Sequence, residues 1–368
     1  MLLINSGMEK VILILLFFSS VTISCKNNAP TRREGRNNID NTCKLMNWDS
    51  RLISDSMVHK VSPAQLLVRF DDKYPIGLDV IDSLLYIIMT RSDTAIYVYN
   101  EKTSNLCDAF GYIGQGPQDV LSPSFLKNNY EIKRESASLE FYDLDARKIF
   151  KNKGDSIIIT KEFFGEMYPS DQLNISGDYW IGRKLRGMHD KLFQIYNTNS
   201  KKTIAIDMYP VLPDLDKGVD KSRLYSVTLA CNKDKGRIVV GMYYFDLILV
   251  YNFAGELLQT LSISDNYKAR EAVRKIFQGE EYIGFSQIYA TNDYCYLRRC
   301  LKGEGGNRKM RTSHIIRLDW NGHIVGVYYM DEYTTADFCV DEASGTLYCI
   351  SQQITVDEEY YDVVSYKL

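Results

Sequence analysis

Apolar and polar positions alternate in short runs along most of the chain. Runs rich in Tyr, Ile and Val are cut by turns of Asn, Asp, Gly and Lys, and long helical periodicity is nearly absent. Such alternation predicts half-buried β-strands. One phrase returns six times: an apolar strand, a turn, then a strand closing on an aromatic or apolar residue plus Asn or Asp. It runs "SLLYIIM…TAIYVYN" to Asn100, "SLEFYD…RKIFKN" to Asn152 and "DYWIGR…KLFQIYN" to Asn197. It continues "GRIVVGMYY…LILVYN" to Asn252 and "DYCYLRR…SHIIRLD" to Asp319, and ends in "GTLYCIS…YDVVSYKL" at Leu368. The first five end points lie 52, 45, 55 and 67 residues apart.

Each copy follows a further apolar strand, such as "IGLDVI" (76–81), "SVTLAC" (226–231) or "ADFCVD" (336–341). The first five are followed by another, such as "ELLQTLSI" (256–263) or "HIVGVYYM" (323–330). Four strands per copy and six copies predict an all-β chain: a six-bladed β-propeller of four-stranded antiparallel blades. The sixth copy lacks its fourth strand because the chain stops, and Gln65–Phe70 (QLLVRF) is the N-terminal strand expected to close that last blade. An irregular β-sandwich is the alternative.

Glycine and proline mark the joints. "AFGYIGQGPQDVLSP" (109–123) has the density of a phosphate loop, but lacks the third glycine of a dinucleotide fingerprint and the lysine of a P-loop. It instead resembles the linker of NHL-type repeats, with Gly111, Gly114, Gly116 and Pro117 in order and Pro123 opening the next inner strand. With the blade periodicity over roughly residues 60–368, the chain resembles NHL-like and TolB-like six-bladed propellers, in particular lipoproteins of Gram-negative gut bacteria. The other five linkers depart from that plan, and the resemblance implies no catalytic residues.

Ahead of the strands lies a different kind of segment. Lys10 precedes the apolar run Val11–Phe18, then small residues lead to Cys25, the pattern of a secretory signal. Residues 1–24 are therefore expected to be a lipoprotein signal peptide, with Cys25 the lipid-attachment site; Thr22, three residues before it, replaces the usual Leu. A secreted protein or an uncleaved anchor are the alternatives. Residues 25–47 are polar and predict a flexible tether, leaving 48–368 for the propeller. The expected address is the cell envelope, anchored to the outer membrane with the periplasmic face preferred over the cell surface.

Net charge is −3, and loss of residues 1–24 removes Glu9 and Lys10 together, so the balance argues against nucleic acid as a partner. Seven cysteines remain besides Cys25, without metal-type Cys-x-x-Cys spacing, and most sit in apolar strand runs as small buried hydrophobes. Cys339 and Cys349 fall on adjacent predicted strands and form the candidate disulfide. The four histidines, His59, His189, His314 and His323, form no close pair. Acidic residues such as Asp79 and Asp337 fall on predicted inner strands without a calcium-loop pattern, so neither metal nor cofactor is expected.

Loop length separates the two rims of such a ring. First-to-second and third-to-fourth strand turns are tight: Ser176–Asp178, Asn232–Gly236, Asn252–Gly255, Asn321–Gly322 and Ser344–Gly345. The opposite rim carries 109–123, Tyr209–Ser222, the insertion Ser264–Glu281 and the basic hairpin Arg298–Arg311. Within the insertion, Ala269, Val273, Ile276 and Phe277 fall on one helical face, a lid or a docking helix. The expected binding rim comprises Arg298, Arg299, Lys302, Arg308, Lys309 and Arg311, with Tyr112 and Gln115 from the first linker. The leading expectation is a non-catalytic lipoprotein that takes a protein, small-molecule or glycan ligand on this rim. The alternative is a propeller hydrolase or lyase acting on a carbohydrate or lactone at the channel mouth.

Overall fold

The computed structural model describes residue 49 and residues 51–368. Omitted within that range are 62–63, 117–118, 127–138, 154–155, 163–172, 184–190, 213–219, 266–267, 278–282, 303–310, 331–334 and 355–358. Cys25 and the tether lie outside the described residues, as do Arg308 and Lys309.

Six antiparallel sheets form the ring, one for each sequence copy. Blade 1 is β3 (Tyr74–Ile81), β4 (Leu84–Thr90), β5 (Thr94–Asn100) and β6 (Leu106–Tyr112). Blade 2 is β7 (Pro123–Phe125), β8 (Glu140–Asp143), β9 (Lys148–Lys153) and β10 (Ser156–Glu162). Blade 3 is β11 (Asn174–Ser176), β12 (Tyr179–Gly182), β13 (Lys191–Asn197) and β14 (Lys202–Asp207). Blade 4 is β15 (Val227–Asn232), β16 (Arg237–Met242), β17 (Leu247–Tyr251) and β18 (Leu257–Ser262). Blade 5 is β19 (Ile283–Ala290), β20 (Tyr294–Lys302), β21 (Arg311–Asp319) and β22 (Ile324–Met330). Blade 6 is β23 (Thr335–Asp341), β24 (Thr346–Ile354) and β25 (Glu359–Lys367), completed by β2 (Gln65–Phe70).

The closing strand pairs as expected, β2 running antiparallel to β25 with Gln65 opposite Ser365 and Phe70 opposite Tyr361. Joining the two ends of the chain in one sheet ties the ring shut without a covalent link. The N-terminal segment does more than the alternation pattern predicts. A three-residue strand, β1 (Val58–Lys60), adds parallel to β22 as a fifth strand on blade 5. Just before it, Ile53 enters the core between blades 4 and 5, and the Asp49 amide donates to the Ile263 carbonyl at 2.8 Å.

The Asn or Asp that closes the repeated phrase in blades 1, 3, 4 and 5 now has a physical role. The side-chain oxygen of Asn152 in blade 2 is instead buried without a hydrogen-bond partner among the described residues. The Asn100 side-chain oxygen accepts from the Lys102 and Thr103 amides, and Asn197 does the same for Asn199 and Ser200. Asn252 and Asp319 hold their turns by the same two-bond device. These are Asx caps, which satisfy turn amides that the sheet leaves without partners. Burial runs through both sides of the middle strands: in β16 and β17 every residue except Arg237 is buried. That is what a blade sandwiched between two neighbours requires.

The candidate disulfide is not formed. Phe338, not Cys339, stands opposite Cys349, so the two thiols point to opposite faces of blade 6 and no bond joins them. One residue of register moves a side chain to the other face of a sheet.

Candidate functional site

The long connections gather where the fourth strand of one blade passes to the first strand of the next, and where second strands turn into third strands. We call this the elaborated face and its opposite the plain face. One connection breaks the rule by its length in sequence: residues 126–139 separate β7 from β8, the first and second strands of blade 2.

The linker after β6 shows how the sequence builds the elaborated face. Gly111 has a φ of +79°, in the left-handed region that favours glycine. Gly114 and Gly116 fold against Asp119, whose carboxylate accepts the Gly116 amide at 2.7 Å; a Cβ on Gly114 would lie 2.4 Å from that carboxylate. Val120 is buried and bridges back to Ile113, and β7 then opens with Pro123, as the linker pattern predicts. The buried Asp143, at the end of β8, closes the joint. Its carboxylate accepts the amides of Leu121, Ser122, Asp145 and Ala146, so one side chain pins the linker to the adjoining turn.

The corresponding joint between blades 4 and 5 is charged. Asp246, in the turn between β16 and β17, receives both Nε and Nη2 of Arg299 at 2.7 and 2.6 Å, and Ser264 from the following linker donates to the same carboxylate. Arg299 is 2% exposed and Arg298 8% exposed, so neither belongs to a solvated rim. This corrects the expectation for both. They lie within β20, where alternate residues face the two neighbouring blades. Farther along the strand, Lys302 pairs with Arg311 at the ends of β20 and β21. Beside Arg299, His314 is fully buried with its ring edge-on to Tyr329. Burial, assisted by the Arg299 guanidinium, lowers its pKa to about 3, so it is neutral at physiological pH.

Helix α1 (Lys221–Leu224), capped by Asp220, sits in the linker from blade 3 to blade 4. Helix α2 (Ala269–Phe277) forms where the 3.6-residue pattern places it. Val273 and Ala269 pack onto the core of blades 3 and 4, which makes α2 a packed lid element at its N-terminal half. Phe277, expected on the buried face, is instead 58% exposed. It joins a set of exposed apolar side chains on this face: Tyr112 at 72%, Val211 at 74%, and Ile76, Ile113, Leu121 and Tyr243. Gln115 is exposed beside Tyr112, as the sequence reading places it. Among the described residues, no large apolar side chain is exposed in the turns of the plain face; the remaining exposed ones lie on fourth strands at the perimeter.

On the axis, all six inner strands contribute to a cavity of about 230 Å³. Gly77, Ser124, Asn174, Thr228, Gln287 and Asp337 represent one strand each. These positions lie toward the strand beginnings, hence toward the elaborated face. Asp337 accepts the Leu78 amide and the Gln287 side-chain amide, both at 2.8 Å, and so bridges blades 5, 6 and 1. Farther down the channel Tyr289 donates to Asp79 at 3.0 Å. Both acids that the sequence places on inner strands are thus buried in the channel wall. No group of three or more potential metal-ligating side chains occurs among the described residues.

No family model matches the sequence, and no curated protein matches it. Solved structures do. A member of the DUF4221 family from Bacteroides vulgatus superimposes with a TM-score of 0.51 at 13% identity, over 83% of this chain and 98% of that one. The chain is a six-bladed β-propeller. A candidate exported protein of Bacteroides fragilis gives 0.48 at 12% identity, covering 84% of this propeller chain and 98% of its own. Regucalcin from Agrobacterium tumefaciens, a calcium-binding protein, gives 0.45 at 9%, covering 84% and 96%. At these identities the likeness to this propeller is one of fold.

Proposed function

We propose that the protein is an exported, lipid-anchored binding protein that captures a macromolecular partner on the elaborated face of its propeller and performs no catalysis there. One observation carries the reading: exposed large apolar side chains occur in the loops of the elaborated face and are absent from the described plain-face turns. Water-exposed aromatic and aliphatic groups on long loops, held by rigid blades, are the usual composition of a contact surface. The anchor rests on the sequence alone, on the apolar run before Cys25 and the polar tether after it. Anchoring to the outer membrane on its periplasmic side belongs to the same proposal.

Capture of envelope proteins by the wild type and by a Tyr112→Ser/Phe277→Ser variant tests the rim. The expected outcome is loss of partner recovery with an unchanged unfolding midpoint. Equal recovery by both proteins would overturn the rim assignment. Separately, Cys25→Ala should move the protein from the membrane to the soluble fraction.

A further inference from the structure

The axial cavity carries an inference independent of what docks on the rim, and it rests on the groups that line the cavity itself. Asp337, nearly buried but part of the lining, is the one charged side chain there; no Lys, Arg or His is among the described lining residues. The donors described on its carboxylate, the Leu78 amide and the Gln287 side-chain amide, are neutral groups, which hydrogen-bond a carboxylate without cancelling its charge. A carboxylate has about four acceptor sites, so two such donors do not saturate it. A second acid, Asp79, stands farther down the channel wall, where it accepts from Tyr289. Arg298 lies behind the lining, donating Nε to the Ser286 hydroxyl at 2.8 Å. Two carboxylates in the wall against one guanidinium behind it give the axis a negative potential among the described residues, which favours a cationic guest and repels an anion.

The rest of the lining says what kind of cation fits. Phe125, Leu229 and Ile288 form apolar wall, while Ser124, Ser286 and Thr228 bring hydroxyl oxygens. Ser124 and Ser286 are part-exposed, so their oxygens are not sealed within the sheets. At about 230 Å³ the cavity far exceeds the ~10–15 Å³ that one water needs. A bare metal ion would leave most of that space and the apolar wall unused, and no group of three potential metal-ligating side chains occurs among the described residues.

We propose that the axial cavity is a binding site for a compact organic primary ammonium, held by the Asp337 carboxylate with its hydrocarbon body against Phe125, Leu229 and Ile288. A primary ammonium carries three N–H donors and no acceptor, which suits a wall of one carboxylate and several hydroxyl oxygens. Burial of its charge is then compensated by an opposite charge and by hydrogen bonds together.

Calorimetric titration of the purified protein with butylammonium and benzylammonium tests this, against butanol and benzyl alcohol as neutral counterparts and benzoate as an anion. The expected result is single-site binding of at least one ammonium and none of the alcohols or benzoate. Tetramethylammonium, which has the charge but no N–H donor, should bind more weakly. Asp337→Asn should weaken ammonium binding by about tenfold or more, the share of one charge-assisted bond. Ser124→Ile keeps Asp337 but fills the cavity, and should abolish binding; it decides the matter if Asp337→Asn does not fold. Four results would each overturn the proposal: no binding of either primary ammonium, equal binding of an alcohol or of tetramethylammonium, binding of benzoate, or undiminished binding in a folded variant.

Discussion

The two faces of the ring are closed by similar chemistry and left in different states. On the plain face, Asx caps fix the turns, and tyrosines reach across to acidic turn residues of the next blade. Tyr296 donates to Glu342 at 2.9 Å, and Tyr348 donates to Glu101. On the elaborated face, Asp143 and the Asp246–Arg299 pair stitch the joints equally firmly. Yet only this face leaves Tyr112, Val211 and Phe277 largely in water. Firm stitching beneath exposed apolar groups means the surface is presented, not frayed. Closure and contact are thus assigned to different residues of the same loops.

The comparison breaks first at the charged joint. Arg299 and Asp246 have side chains 3% and 2% exposed, so removing one partner strands the other in the interior. Arg299→Ala should cost about 3–5 kcal/mol in denaturant unfolding, the range for breaking a buried pair. A loss under about 1 kcal/mol would mean that the joint draws its stability from packing and that the stitching argument fails.

Acid should open the same joint more gently. His314 is fully buried, and its folded pKa of about 3 lies below its ordinary 6.5. Between those values the unfolded chain binds the extra proton. His314 therefore contributes stability that is whole above pH 6.5 and falls as the pH drops toward 3. The slope is about 1.4 kcal/mol per unit, or roughly 2 kcal/mol by pH 5. His314→Leu should flatten that part of the curve, and an unchanged slope would show that the imidazole is not the group being protonated.

Much of the ring was legible in the chain, because local rules build it. Alternation predicts the strands, the terminal Asn or Asp marks a cap in four of the six copies, and the missing last strand points to Gln65–Phe70. What escaped is what long-range contacts decide. Arg298 and Arg299 look like part of a solvated basic hairpin because only Glu304 stands near them in sequence. The partner of Arg299 is Asp246, on another blade. Cys339 and Cys349 are on adjacent strands, but a single step of register parts them. The strand β1 is too short to leave a pattern. The cavity takes lining residues from six separated strands, and no local spacing marks such a set.

Smaller substitutions sharpen the contrast between the faces. On the plain face, Gly345 has a φ of +61° and nothing within 4 Å of where a Cβ would stand. Gly345→Ala therefore isolates the backbone term and should cost about 1 kcal/mol. On the elaborated face, Tyr112 is 72% exposed, so truncating its ring removes little buried area. Tyr112→Ser should shift stability by no more than about 0.5 kcal/mol while still reducing partner capture. The two variants together separate the faces: one alters stability and leaves capture intact, the other does the reverse. If Tyr112→Ser destabilises as much as Gly345→Ala, the exposed ring is part of the joint's packing. The apolar rim would then be an extension of the core, and its claim to be a contact surface would fail.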